Sequence, residues 1–127
     1  MAAIGRIAAE HRVTVCNVFH AGDGNLHPNI AYNAADPDES ERVHQAMRLI
    51  MKLCVDAGGS VTGEHGIGLD KLEYMPLIFS DETLAAMCRL RDVFDPHRRT
   101  NPGKVVPMRS CREWAGLPAT RHSMVNA

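Results

Sequence analysis

The sequence predicts an α+β fold in which helices pack on one face of a mainly antiparallel sheet. Two apolar, strand-like segments, residues 13–19 and about 26–32, flank a short glycine-rich loop, which is the arrangement of a β-hairpin. Two segments with apolar residues at helical spacing follow, at about 36–57 and 80–94. Neighbouring strands followed by helices are typical of α+β layers, so this class is predicted.

The N-terminal third of the chain is expected to contain one helix and a hairpin. Apolar residues recur at helical spacing over residues 2–12, which predicts the end of a helix. Residues 13–19 are β-branched and apolar, and they predict a buried strand. The second strand is expected at about 26–32, with residues 21–26 as the hairpin loop.

The first long helix is predicted to begin after Asp36, because aspartate caps helices and Pro37 fixes φ at the first helical position. Gly58 and Gly59 are expected to end it, and residues 59–62 are a candidate for a short third strand. The apolar stripe of this helix consists of Val43, Ala46, Met47, Ile50, Cys54 and Ala57.

Ser80 is predicted to cap the second long helix, and Asp95 before a proline is predicted to end it. From His97 onward the chain is rich in arginine and proline, so an irregular structure is expected. Residues 1–107 are interpreted as one domain and 108–127 as an irregular tail. The apolar stripe of this helix consists of Leu84, Met87, Leu90 and Phe94.

Composition excludes several classes of function. The chain has 127 residues, a net charge of -1 and 5% aromatic residues, so it offers neither a broad cationic surface nor a base-stacking platform. Nucleic acid is therefore not expected as a partner. No apolar run approaches the roughly 20 residues that cross a bilayer, and the N-terminus lacks a secretory pattern. A soluble, cytoplasmic location is expected.

The cysteines are widely spaced and form no CxxC pair, so neither a zinc ribbon nor a disulfide framework is predicted. We expect reduced thiols, mostly buried, because the predicted compartment is reducing. The four residues are Cys16, Cys54, Cys88 and Cys111.

Two glycine-rich segments, residues 20–29 and 63–68, carry the candidate functional side chains. If the strands pair around the predicted loop, His20 and His27 face each other at the hairpin mouth and can converge on one ion. Asn29 lies two positions beyond His27 and shares its face. Glu64 adds an oxygen donor, which completes a set of two histidines and one carboxylate with open coordination positions.

Other polar side chains in these segments have alternative interpretations. His65 is adjacent to Glu64 and cannot easily bind the same ion, so it is interpreted as an acid/base. Asp23 is interpreted as a loop residue. Asn25 is also compatible with a loop role, but its amide could instead orient a ligand histidine or contact substrate.

These segments, together with Asp95-Pro96 and residues 101–104, resemble the C-terminal domain of FAD-linked oxidases of the vanillyl-alcohol oxidase type. Within that group the chain most resembles the large flavoprotein subunit of glycolate oxidase and the D-lactate and D-2-hydroxyglutarate dehydrogenases. The similarity runs from about Val13 to Val106. It implies the ferredoxin-like half of that domain, in a flavin-dependent oxidoreductase that acts on small 2-hydroxy acids.

The resemblance also implies roles for individual residues. Histidines 20 and 27 with Glu64 match the metal ligands of the family, and Zn, Mn and Fe all remain open. Asn29 matches a residue that holds substrate, and His65 matches the base that takes the hydroxyl proton. The turn containing Asn101 and Lys104 resembles a segment that returns toward the flavin. FAD and a divalent metal are thus the implied cofactors.

One departure from the family concerns the flavin. The FAD-binding half precedes this domain in relatives, and no glycine-rich phosphate-binding segment of that type occurs in these 127 residues. The chain is therefore expected to be a fragment, a truncated reading frame or one part of a split enzyme, inactive by itself. Its expected partners are an FAD-binding domain or subunit and, because apolar surface would be uncovered, further copies of itself.

Three hypotheses of function remain at this point. The first is the substrate- and metal-binding domain of a flavin-dependent 2-hydroxy-acid oxidoreductase. The second is a non-catalytic assembly or metal-binding domain retained from such an enzyme. The third is a free-standing metal hydrolase, which would need a metal-bound water and an enclosed pocket within this chain.

Overall fold

The computed structural model describes residues 1–106 and confirms the α+β class. Within these residues the chain divides into two compact units, the first Met1–His65 and the second beginning at Gly66, and the predicted tail 108–127 lies outside the described residues. The first unit contains helix α1 (Ala2–His11), strands β1 (Thr14–His20) and β2 (Asn25–Ala31), and helix α2 (Pro37–Asp56); the second contains a 3₁₀-helix (Leu72–Leu77) and helix α3 (Asp81–Phe94).

The core of the first unit forms between its two helices. Helix α1 contacts both α2 and β1, and it buries Ile4 and Ala8. It ends where Arg12 adopts a left-handed backbone with φ of 53°. Helix α2 buries residues at successive spacings of three and four positions on one face, which is the helical repeat that the sequence predicted. These residues are Val43, Ala46 and Ile50.

The ends of α2 follow from local chemistry. The Asp36 carboxylate accepts hydrogen bonds from the backbone N–H groups of Asp38 (3.0 Å) and Glu39 (3.2 Å), as the cap prediction required. At the other end Gly58 takes a φ of 82°, and the Gly59 N–H donates to the Cys54 carbonyl at 2.8 Å. The helix is thereby closed at both ends by the residues expected from sequence.

The two strands pair antiparallel as a two-stranded sheet, joined by a turn at residues 21–24. Two strand predictions are wrong. No residue of β1 is buried, because one face of this small sheet is open. The expected strand at 59–62 is irregular chain, although Val61 within it is buried. Apolar character in this segment reflects contact with the core and not sheet pairing.

Helix α3 begins at Ser80, whose hydroxyl accepts from the Thr83 N–H at 3.3 Å, as predicted. The predicted stripe is partly wrong: Leu84 is buried, but Leu90 is 61% exposed and Phe94 is 82% exposed. Cys88, four residues after Leu84, is the second fully buried residue. The buried face of the helix is therefore the one that carries Leu84 and Cys88. Cys88 packs with Val106 and Met87.

The expectation of reduced, buried cysteines is only partly met. Cys16 and Cys54 are free, and burial raises the pKa of the Cys54 thiol, which keeps it neutral. Cys16 is exposed because it lies on the open face of the sheet. Cys88 is fully buried, as expected. Cys111 lies outside the described residues.

Residues 97–106 contain no helix or strand, as expected, and are held by two side chains of the preceding segment. The Arg91 guanidinium donates to the backbone carbonyls of residues 100, 101 and 104 at 2.5–2.6 Å. The buried Asp95 carboxylate accepts from the Thr100 hydroxyl (2.6 Å) and from the backbone N–H groups of Arg99 and Thr100. Within residues 1–106, no helix combines the length and apolar character needed to cross a bilayer.

Candidate functional site

One face of the hairpin carries four of the predicted site residues. His20 lies directly opposite Asn25, and Val18 lies opposite His27, so these side chains and Asn29 project from the same side of the sheet. The histidines are therefore diagonal neighbours and not direct partners, which corrects the predicted register. The reason is that residues 25 and 26 belong to β2, so the turn is two residues shorter than expected. The imidazole centroids still lie 5.4 Å apart.

Glu64 approaches this face from the segment after α2. Its Oε1 lies 3.1 Å from Nε2 of His27 and 3.7 Å from Nε2 of His20. The donor atoms of the three residues all lie within 4.8 Å of one another. His27 is the least exposed of the three side chains, at 20%, because the imidazole rings of His20 and His65 both lie close to it. The structure thus brings together the three side chains that the sequence predicted as metal ligands.

The spacing of these donors fits a small divalent cation. Nitrogen and oxygen ligands lie about 2.1 Å from a tetrahedral Zn²⁺, which puts two donors about 3.4 Å apart. The measured separations from Glu64 to the two imidazoles, 3.1 Å and 3.7 Å, bracket that value. Two imidazoles and one carboxylate also match the donor preference of Zn, Mn and Fe. All three donors lie within 4.8 Å of one another, so the side chains can hold an ion once they close to the ideal separation.

His65 lies beside this set but outside it. Its Nε2 is 3.4 Å from the same oxygen of Glu64, and its ring centroid is 5.0 Å from that of His27. The group of donors that lie within 4.8 Å of one another does not include His65. Its side chain is 70% exposed, so one ring edge is free to meet a ligand from solution. His65 therefore lies beside the predicted ligand set and outside it, and its acid/base role stays a prediction.

The asparagines and Asp23 occupy different environments. The Asn29 amide donates to the His27 carbonyl at 3.2 Å, and its side chain remains exposed at the site. Asn25 is half-buried, and its amide packs directly against Gly63. Asp23 is exposed in the hairpin turn. The contact between Gly63 and Asn25 was not predicted. The sequence feature that could have indicated it is a glycine immediately before the candidate ligand Glu64.

The two residues for which the resemblance implies contact with the flavin, Asn101 and Lys104, lie in the second unit, in an exposed turn. Asn101 takes a φ of 44°, its carbonyl accepts from Arg91, and its Oδ1 accepts from Lys104 Nζ at 3.4 Å. The turn therefore presents an amide and an ammonium group side by side. Arg91, which organises this turn, was not singled out from sequence for that role.

Comparison with protein families gives one match that covers most of the chain. The family model of FAD linked oxidases, C-terminal domain, matches residues 1–105. This range includes every candidate site residue described above.

Individual proteins show the same similarity. The chain is 39% identical to the glycolate oxidase subunit GlcD of Escherichia coli strain K12, over 90% of this chain and 23% of that protein. It is 40% identical to the mitochondrial D-lactate dehydrogenase (cytochrome) of Kluyveromyces lactis, over 69% and 15%. It is 36% identical to the D-2-hydroxyglutarate dehydrogenase of Escherichia coli strain K12, over 69% and 8%. The chain spans less than a quarter of each relative.

Proposed function

The chain belongs to the FAD linked oxidases, through their C-terminal domain, and from this premise we propose that it is the metal- and substrate-binding part of a flavin-dependent 2-hydroxy-acid oxidoreductase. The relatives are named for glycolate, D-lactate and D-2-hydroxyglutarate. All three acids carry a hydroxyl on the carbon next to a carboxylate. A site for this class needs a group that binds both oxygens and a base for the hydroxyl proton.

The observation that carries the proposal is the convergence of His20, His27 and Glu64, whose donor atoms lie within 4.8 Å of one another. These residues would hold a divalent ion and leave coordination positions open for the substrate. When bound, the ion supplies positive charge that lowers the pKa of a hydroxyl and orients the acid. The open face of the sheet leaves the set accessible to small acids from solution.

His65 is the proposed base. Oxidation of a 2-hydroxy acid to a 2-oxo acid removes a hydride from the α-carbon and a proton from the hydroxyl. His65 Nε2 lies 3.4 Å from Glu64 Oε1, so a hydroxyl held next to Glu64 is within reach of the imidazole. Asn29, exposed on the same face as His27, would hold the substrate through its amide. The alternative for Asn25, contact with substrate, remains a prediction.

FAD is the proposed hydride acceptor; the cofactor would supply the redox chemistry, and the protein would bind and orient it. Asn101 and Lys104 offer an amide and an ammonium group on an exposed turn, which are donors suited to flavin carbonyl or phosphate oxygens. We assign contact with the flavin to these residues as a proposal. The matched segment is 23% of the glycolate oxidase subunit GlcD, and we assign the rest of the flavin site to an FAD-binding domain or subunit, which is the proposed partner.

Metal binding by the full chain tests the proposal. We expect Zn²⁺ or Mn²⁺ to bind with 1:1 stoichiometry in calorimetry, and His20→Ala and His27→Ala to weaken binding by more than about tenfold. His44→Ala is the matched control, because His44 is an exposed histidine on α2 and is not among the ligands. Equal affinities for wild type and both hairpin variants would contradict the ligand assignment.

Substrate binding is tested in the same protein. With metal present, we expect D-lactate or glycolate to bind, and propionate, which lacks the hydroxyl, to bind more weakly. Loss of the difference between D-lactate and propionate in the His27→Ala variant would connect recognition of the hydroxyl to the ion. Equal binding of both acids to metal-loaded wild type would refute chelation through the hydroxyl.

A further inference from the structure

The contact between Asn25 and Gly63 joins the two segments that carry the candidate ligands. Asn25 lies opposite His20 in the hairpin, and Gly63 immediately precedes Glu64 in the chain. A methyl group on Gly63 would lie 2.7 Å from Cγ and 3.0 Å from Nδ2 of Asn25 and would overlap its Oδ1. Real Cβ atoms do not approach other atoms so closely, so either the amide or the Glu64 segment would have to move.

Gly63 differs from the other glycines of its loop. Gly66 and Gly68 take φ of 79° and 57°, and a Cβ on either would meet nothing within 4 Å. They are needed for their backbone conformation. Gly63 is not in the left-handed region, so any residue could adopt its backbone. A side chain at this position would therefore disturb the Asn25 amide and not the backbone conformation of Gly63.

We propose that Asn25 is a positioning residue: its side-chain amide, packed on Gly63, sets the distance between the Glu64 segment and the two histidines of the hairpin. This inference rests on the proposed function, because the distance matters through metal binding. The contact is one residue from Glu64 and directly across the sheet from His20. A displacement there of a few tenths of an ångström changes the 3.1–3.7 Å separations on which an ion depends.

A double-mutant cycle tests the proposal with Zn²⁺ alone as the probe. Gly63→Ala is expected to weaken Zn²⁺ binding by the factor of about 10–100 that is common for residues supporting metal ligands. In the Asn25→Ala background the overlap is removed, so adding Gly63→Ala should change the affinity by less than about twofold, the limit of additivity error. Gly22→Ala is the control, since a Cβ there meets nothing and φ is not left-handed.

Two readouts separate failure of this inference from failure of the proposed function. If wild type binds no Zn²⁺, the proposed function fails and the inference fails with it. If wild type binds Zn²⁺ but Gly63→Ala weakens binding by the same factor with and without Asn25→Ala, only the inference is overturned. A nuclear Overhauser contact between the Asn25 side-chain amide and the Gly63 α-protons is expected in the metal-free protein. Its absence would refute the inference even if Gly63→Ala did not fold.

Discussion

Glu64 is the only acidic member of the candidate metal set, and one of its oxygens lies within 3.7 Å of Nε2 of three histidines. Two of these histidines are assigned as ligands and the third as a base. The distances from Glu64 alone do not separate these roles, because His65 is nearer to that oxygen than His20 is. The separation comes from the mutual distances of the donors, which group His20 with His27 and leave His65 outside.

Replacement of Glu64 and His65 by glutamine should therefore have different effects. Glu64→Gln removes the charge of a ligand, and we expect Zn²⁺ affinity to fall by more than about 100-fold, since loss of supporting residues already costs about 10–100-fold. His65→Gln should change the affinity by less than about tenfold. Isothermal titration calorimetry on the full chain measures both. Equal losses in the two variants would identify His65 as a ligand and not as a base.

Asp95 is the residue whose ionisation is most strongly perturbed among those described. The Thr100 hydroxyl, and then the backbone N–H groups of Thr100 and Arg99, donate to its carboxylate and lower the pKa of Asp95 from 3.8 to about 2, with a smaller contribution from Arg91. These hydrogen bonds favour the ionised form in the folded state. The role is structural, because the bonds hold the segment that follows α3.

The pH dependence of folding should reveal this interaction. A folded-state pKa below the unfolded value means that the stabilisation is fully present above about pH 4 and disappears as the pH falls toward 2. We expect the stability of wild type to decrease over that interval, as measured by urea denaturation at each pH. Asp95→Asn should be less stable at pH 7 and should show a shallower decrease. Parallel profiles for the two proteins would contradict the interaction.

At the scale of single elements, α2 owes its start to one side chain. Asp36 accepts two backbone hydrogen bonds at the helix N-terminus. Asp36→Ala leaves those donors without a protein partner and should lower the free energy of unfolding by about 1 kcal/mol, within a usual range of about 0.5–2 kcal/mol. Asp36→Asn keeps the acceptor and is the control. Urea denaturation provides the measurement, and equal losses in both variants would mean that capping is not the cause.

Helix caps and strand-like segments were predicted well, because each depends only on residues within or next to the element. Both long helices begin after the predicted caps, Asp36 and Ser80. The two strands are displaced by one residue from their predicted positions. The pairing of the hairpin was predicted less well, because register depends on how many residues the turn uses. A turn two residues shorter makes His20 and His27 diagonal neighbours, yet leaves them on one face because the shift is even.

The buried side of α3 shows a limit of helical periodicity. Leu84 with Met87, Leu90 and Phe94 forms one apolar stripe, and Leu84 with Cys88 forms another. Both have helical spacing, so sequence does not decide between them. The structure buries Leu84 and Cys88 and leaves Leu90 and Phe94 exposed. Which stripe is buried depends on which other segments of the chain pack against the helix, such as the one that contains Val106.

For the whole molecule, the exposed apolar residues of α3 predict association of the chain with further copies of itself. Leu90, Val93 and Phe94 lie within one turn and are among the most exposed large apolar side chains described. Contiguous apolar surface of this kind is usually covered by another protein surface. We predict that the purified chain forms homo-oligomers, detected by light scattering over a range of concentrations. The replacement of Val93 and Phe94 together by serine should shift the population toward monomer.

The control for this prediction is Arg89→Ser, an exposed polar change on the same helix. It should leave the oligomer unchanged. A wild-type chain that remains monomeric at every concentration would contradict the prediction, as would equal dissociation of the control and the apolar variant.

Local sequence patterns were sufficient to predict the class of fold, the helix caps and which side chains come together in the candidate site. These properties depend on residues close together in the chain, whose spacing, capping groups and glycines have direct physical consequences. Those patterns did not predict the hairpin register, the buried side of α3 or the contact between Asn25 and Gly63, which are known from the folded chain. The register depends on how many residues the turn uses. The other two depend on contacts between segments that are remote in sequence, and such contacts are set by packing within each unit.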